Sequence, residues 1–140
     1  MLNVKPLMFA VVLFTFFVAS FASATTETLS MAKLDHDFKA LTAKVRTLPQ
    51  KADRLATIEK YLGELRPQIR QMANSGIRND VYWRAIDIRT QLIYIVDLTC
   101  AESRTVLESS EFNMSSNDSG SISADTAQAI ALLEQVCRKN

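Results

Sequence analysis

The sequence predicts an all-α fold, an up-down four-helix bundle closed by one disulfide and preceded by a cleaved signal peptide. Three observations carry this expectation. Apolar residues recur at alternating spacings of three and four over two long consecutive stretches, which places them on one stripe of a helix. No pair of strand-like segments is present to build a sheet. Two cysteines, Cys100 and Cys137, stand in the second half of a chain whose first residues follow the pattern of an export signal.

The export reading rests on residues 1–24. Lys5 is the lone positive residue, Leu7 to Phe21 is an apolar run, and Ala22, Ser23 and Ala24 supply the small residues that signal peptidase reads. Cleavage is expected after Ala24. The run is shorter than the roughly 20 apolar residues a helix needs to cross hydrocarbon, which argues against a retained anchor. No cysteine adjoins the cleavage point, as a bacterial lipoprotein would require, and the stretch from Cys137 to Asn140 is too polar for an attachment signal. The expected product is periplasmic or extracellular, with no integral membrane anchor after cleavage. In that oxidising setting the two cysteines pair by default.

Charge narrows the partners. Lys and Arg number 16 against 15 Asp and Glu, so removal of Lys5 with the signal leaves a formally neutral mature part. Nucleic acid and bare anionic membrane both require a net or clustered positive field, and neither is expected as the main partner. Basic residues dominate from Lys33 to Arg89 and acidic ones from Asp97 to Glu134. An antiparallel bundle sets these halves side by side, where they attract.

The first helix is read from Met31, Leu34, Phe38, Leu41, Val45 and Leu48, and the second from Leu55, Ile58, Leu62, Leu65, Ile69 and Met72. The short connection at Pro49, with Thr47 and Gln50 in capping-box spacing, makes the pair an antiparallel hairpin. Pro67 is expected to kink the second helix near Arg66, and Asn74, Ser75 and Gly76 to end it. A third helix is expected from Asn79 or Asp80 to about Ser109, its β-branched middle around Leu92 to Leu98 marking it as the most buried. Asp97 in that run would then need an Arg or hydroxyl partner. Residues 109–123, rich in Ser, Asn, Asp and Gly, are read as a flexible loop carrying the glycosylation-type triplets at Asn113 and Asn117. Asp125 with Gln128 is expected to cap a last helix whose Thr126, Ile130, Leu133 and Cys137 share a face, so that the Cys100–Cys137 bridge fastens the fourth helix to the third.

Few residues suggest chemistry. Asp35, His36 and Asp37 have metal-ligand types, but neighbours on a helix point in different directions and His36 is the only histidine. Cys100 as a nucleophile is displaced by the simpler disulfide. With only 3 glycines and no phosphate-loop or serine-elbow motif, the chain is read as neither an enzyme nor a cofactor binder.

A cluster of Arg70, Arg78, Tyr82, Trp83 and Arg84 remains. Tyr82 and Trp83 project about 100° apart on a helix, so both cannot face one core. Tyr, Trp and Arg are the types enriched at interface hot spots. The function expected is therefore that of an exported small helical binding protein acting through protein–protein contact, as an adaptor, inhibitor or immunity-type protein. A periplasmic chaperone or stress protein is the alternative, and an enzyme ranks third. The partner is another protein, and Tyr61 and Tyr94, spare apolar positions, leave a homodimer open.

Overall fold

A computed structural model describes residues 28–109 and 119–138. The expected signal peptide and the triplets at Asn113 and Asn117 lie outside these residues. Among them the chain is all-helical: α1 Met31–Thr47, α2 Lys51–Asn74, α3 Asp80–Asp97, α4 Cys100–Glu108 and α5 Ser119–Cys137. Five helices therefore replace the four expected.

Helix α1 opens at Ser30, whose side chain accepts from the Lys33 amide, a standard N-cap. Leu34, Phe38, Leu41 and Val45 are buried as the spacing predicts, while Met31 at the end of the stripe stays exposed. Thr42 is also buried, and its hydroxyl is satisfied by the Phe38 carbonyl at 3.0 Å. Thr47 and Gln50 do not form a capping box. Leu48, preceding Pro49, is extended, because a residue before proline is driven from the helical region. Thr47 thus closes α1, donating to the Lys44 carbonyl at 2.7 Å, and Gln50 caps α2 without a side-chain cap bond.

Arg54 secures this connection instead. It is 4% exposed, and its guanidinium donates to the carbonyls of Leu48 at 2.9 Å, Pro49 at 2.6 Å and Arg138 at 3.1 Å. One buried cation thereby collects carbonyls left over at the ends of α1 and α5.

Helix α2 runs unbroken across Pro67, with Ile58, Leu62, Leu65 and Ile69 buried. Gly76 ends it in the left-handed conformation, φ 72°, which only glycine adopts at little cost. That turn lets the Ile77 amide reach the Met72 carbonyl at 2.9 Å.

Helix α3 is capped by Asn79 and buries Tyr82, Ala85, Ile88, Gln91, Leu92 and Ile95. It does not continue to Ser109. Leu98 is extended, and Thr99 and Glu102 form a reciprocal capping box that starts α4. The hydrogen bonds from Thr99 hold the Glu102 carboxyl below its ordinary pKa. As the last residue of α3, Asp97 is exposed, so its carboxylate needs no buried partner. Ser103 on α4 donates to the Tyr94 carbonyl and draws the short helix back onto α3.

Helix α5 starts at Ser119, inside the stretch expected as loop, so Asp125 and Gln128 are interior residues and cannot cap it. Gln128 donates to Thr42 at 3.2 Å, and the buried face is Asp125, Thr126, Ala129, Leu132, Leu133 and Val136. Of the face expected, Ile130 and Cys137 are only half-buried. The Cys100–Cys137 disulfide, with Cα atoms 5.9 Å apart, joins the start of α4 to the end of α5. It therefore ties the last helix to the short fourth one and leaves the long third free of it. Arg104 of α4 adds an exposed bond to Glu134 of α5 at 2.7 Å.

Asp35, Arg84 and Asp125 meet near the starts of α1, α3 and α5, while Arg54 near the start of α2 meets the ends of α1 and α5. Helices α1, α3 and α5 thus run one way and α2 the other. Leu34, Phe38, Ile58, Leu62, Ile88, Leu92, Leu132 and Leu133 form the core between them. Among the described residues no helix is long and apolar enough to cross a membrane.

Two outcomes follow for stability in urea. Replacing Cys100 and Cys137 together by Ser should cost about 4 kcal/mol, the chain-entropy value for a separation of 37 residues. A loss below about 1 kcal/mol would mean that the unfolded chain is not restrained by the bridge. Arg54→Met should cost about 2–4 kcal/mol, since buried carbonyls lose a charged donor. A neutral result would assign those carbonyls to solvent.

Candidate interaction surface

The rotation of α3 decides what this end of the molecule presents. Tyr82, Ala85, Ile88 and Leu92 share the core face. Trp83, about 100° round the helix, is 57% exposed, whereas Tyr82 is 9% exposed. Their rings meet edge to face with centroids 5.0 Å apart, a favourable arrangement of two quadrupoles. Arg78 covers the other side of Tyr82, its guanidinium 4.6 Å from the ring centroid. The same guanidinium donates to the Ala73 and Ile77 carbonyls, each at 3.1 Å, tying the cation to the end of α2.

Arg84 is turned inward. Its guanidinium contacts Asp35 of α1 at 2.7 Å, Asp125 of α5, and Asp87 one turn along α3 at 3.8 Å. The Arg84 and Asp125 side chains are both nearly enclosed, so the pair joins α3 and α5 in an environment where an unpaired charge would be costly. Around it the polar groups are strained electrostatically. Burial, followed by the Asp37 charge, pushes the Tyr61 phenol up to about 12 against the opposing influence of Arg84. The Tyr61 hydroxyl has no hydrogen-bond partner among the described residues. Burial also raises the Asp87 carboxyl above its ordinary 3.8, outweighing Arg84 and the hydrogen bond from Gln91, which act to lower it.

Beside this cluster, the last turns of α2 and the segment leading into α1 enclose a groove of about 240 Å³, lined by Leu29, Gln71, Met72, Ile77 and Asn79 among others. Ile77, itself 42% exposed, forms part of the wall. Met31, 41% exposed, follows Leu29 by two residues. Trp83 lies one helical turn beyond Asn79, whose carbonyl accepts its amide at 3.1 Å. Met31, Ile77 and Trp83 are the large apolar side chains that stay exposed among the described residues, and of the three Ile77 lines the groove.

Of the five residues singled out from sequence, Arg70, Arg78 and Trp83 are exposed, Tyr82 belongs to the core, and Arg84 is occupied by carboxylates of its own chain. Met31, Ile77 and the groove walls escaped the sequence reading. Met31 begins the stripe whose Leu34, Phe38, Leu41 and Val45 are buried, so spacing alone gave no sign of its exposure. Among the described residues no cluster of three metal-ligating side chains occurs. Asp35 pairs with Arg84 and Asp37 with Lys33 at 3.1 Å, while His36 is exposed. Comparison with protein-family models, curated proteins and solved structures returned no match.

The Asp87 carboxyl supplies a pH test. Its pKa is higher in the folded than in the unfolded chain, so the native state holds the proton more tightly. Its contribution to stability is greatest with the carboxyl protonated and falls as pH rises through the window above 3.8. The unfolding free energy of the wild type minus that of Asp87→Asn should therefore decline between about pH 3 and about pH 6. Urea titrations across that range check it, and a difference that is flat or rises with pH refutes the assignment.

Proposed function

We propose that the chain is made as a precursor cleaved after Ala24 and acts in the periplasm or outside the cell as a small helical binding protein, an adaptor, inhibitor or immunity-type protein that occupies a partner's surface. The observation that carries this reading is the exposure of Trp83, 57% open to solvent, one helical turn from Asn79 in the wall of a groove that Ile77 also lines. Isolated exposed apolar residues are ordinary on a protein surface, but a large exposed aromatic beside a concavity supports an interaction site. Trp83 is the anchor of that site. It offers a large apolar face with an indole donor, on a helix whose rotation is set by Tyr82 inside and by the Arg84 ion cluster beside it, so little ordering is left to be done on binding.

Arg78 and Arg70 flank the anchor as contacts, while Tyr82 and Arg84 act from behind it. The partner is another protein. The formal neutrality of the mature part supports this choice over nucleic acid, and the disulfide suits an oxidising compartment.

Trp83→Ala tests the reading. A partner copurifying in stoichiometric amount with the wild type from the envelope or secreted fraction should bind the variant about 30-fold or more weakly, as hot-spot truncations do. The unfolding free energy should change by less than about 1 kcal/mol, since Trp83 is mostly outside the core. A folding loss as large as the binding loss would return Trp83 to a structural role. Trp83-dependent protection of unrelated unfolded proteins would favour a chaperone.

A further inference from the structure

At the pole opposite Trp83, the end of α1, the start of α2 and the end of α5 enclose a second cleft of about 170 Å³. Among the described residues Arg46, Arg54 and Arg138 line it together with Thr47, Leu48, Pro49 and Gln135, and no carboxylate does. Arg46 and Arg138 are exposed. Neither has an ion-pair partner among the described residues. Arg54 differs from both. It is 4% exposed, and the Leu48, Pro49 and Arg138 carbonyls fix its guanidinium in place.

Three like charges around one small space repel each other, and while the Leu48, Pro49 and Arg138 carbonyls offset Arg54, Arg46 and Arg138 have no opposite charge among the described residues. Guanidinium groups recognise tetrahedral oxyanions through their paired N–H donors. The space corresponds to about five waters, room for one such anion.

We infer that this cleft binds an oxyanion of the phosphate or sulfate class, either free or as the phosphoryl headgroup of a lipid. Arg46 from α1 and Arg138 from just beyond α5 supply the contacts, and Arg54, engaged by the Leu48, Pro49 and Arg138 carbonyls, holds these two ends together. The site is separate from the Trp83 surface, so the two assignments stand or fall independently.

Two arms test it on the mature chain. In the first, inorganic phosphate is titrated against ¹⁵N-labelled protein at constant ionic strength, with chloride as the reference salt. Saturable shifts of the Thr47, Gln135 and Arg138 amides are expected, weakened about ten-fold by Arg46→Gln or Arg138→Gln, each removing one charge-assisted contact. Lys60→Gln, the same charge change on the exposed middle of α2, should shift the affinity by less than about two-fold. In the second arm, cosedimentation with phosphatidylglycerol vesicles is compared with phosphatidylcholine vesicles. Arginine-dependent binding there without a phosphate response assigns the lipid headgroup as the source, and the converse assigns the free anion. The inference is overturned if neither arm gives arginine-dependent binding, or if Lys60→Gln weakens it as much as Arg138→Gln does.

Discussion

The nearly enclosed guanidinium of Arg84 is the constraint from which the rest of this architecture follows. It lies nearly out of solvent with carboxylates from α1, α5 and its own helix around it. A charge in that position must be matched, and breaking one partner leaves the others uncompensated. This requirement leaves α3 little freedom to rotate. With Arg84 directed between α1 and α5, Tyr82 enters the core and Trp83 points out. The same residue that organises three helices thus decides which aromatic is exposed.

Arg54 has a comparable role at the other pole, with backbone in place of side-chain acceptors. Helix C-termini leave carbonyls without intrahelical donors, and two such ends, of α1 and α5, converge on its guanidinium. The disulfide lies at this pole too, binding the start of α4 to the end of α5. Each pole is therefore fastened by a buried arginine, one of them reinforced covalently. The exposed pairs, such as Arg66 with Glu59 and Arg104 with Glu108, add little by comparison, because solvent screens them. The opposite charge of the two sequence halves matters chiefly at Arg84 and Asp125, where attraction is paired with burial.

Some departures from the sequence reading had a readable signal and others did not. Thr99 and Glu102 stand in capping-box spacing, so the break between α3 and α4 was legible; the apolar run from Leu92 to Leu98 masked it by suggesting continuity. At Thr47 and Gln50 the same kind of spacing misleads, because Pro49 puts Leu48 in extended backbone and assigns Thr47 to the helix that ends. Asp125 is the reverse case. A Ser, Asn and Gly-rich stretch before it favours an N-cap on local chemistry, and only the presence of Arg84 across the interface explains a carboxylate inside α5.

Apolar spacing determined the helical class and the stripes of α1 and α2, the Asn74-Ser75-Gly76 run the ending of α2, and the presence of two cysteines their pairing, since each depends on neighbours within a few turns or on there being one available partner. It also determined that Tyr82 and Trp83 must face different surroundings, a consequence of helix geometry alone. Which of them faces out was decided by the tertiary structure, because the answer depends on carboxylates 49 and 41 residues away from Arg84 along the chain. The exposure of Met31, Ile77 and Trp83 was likewise set only in three dimensions. A residue on an apolar stripe is buried when another element covers it, and no helix of the described chain covers these three.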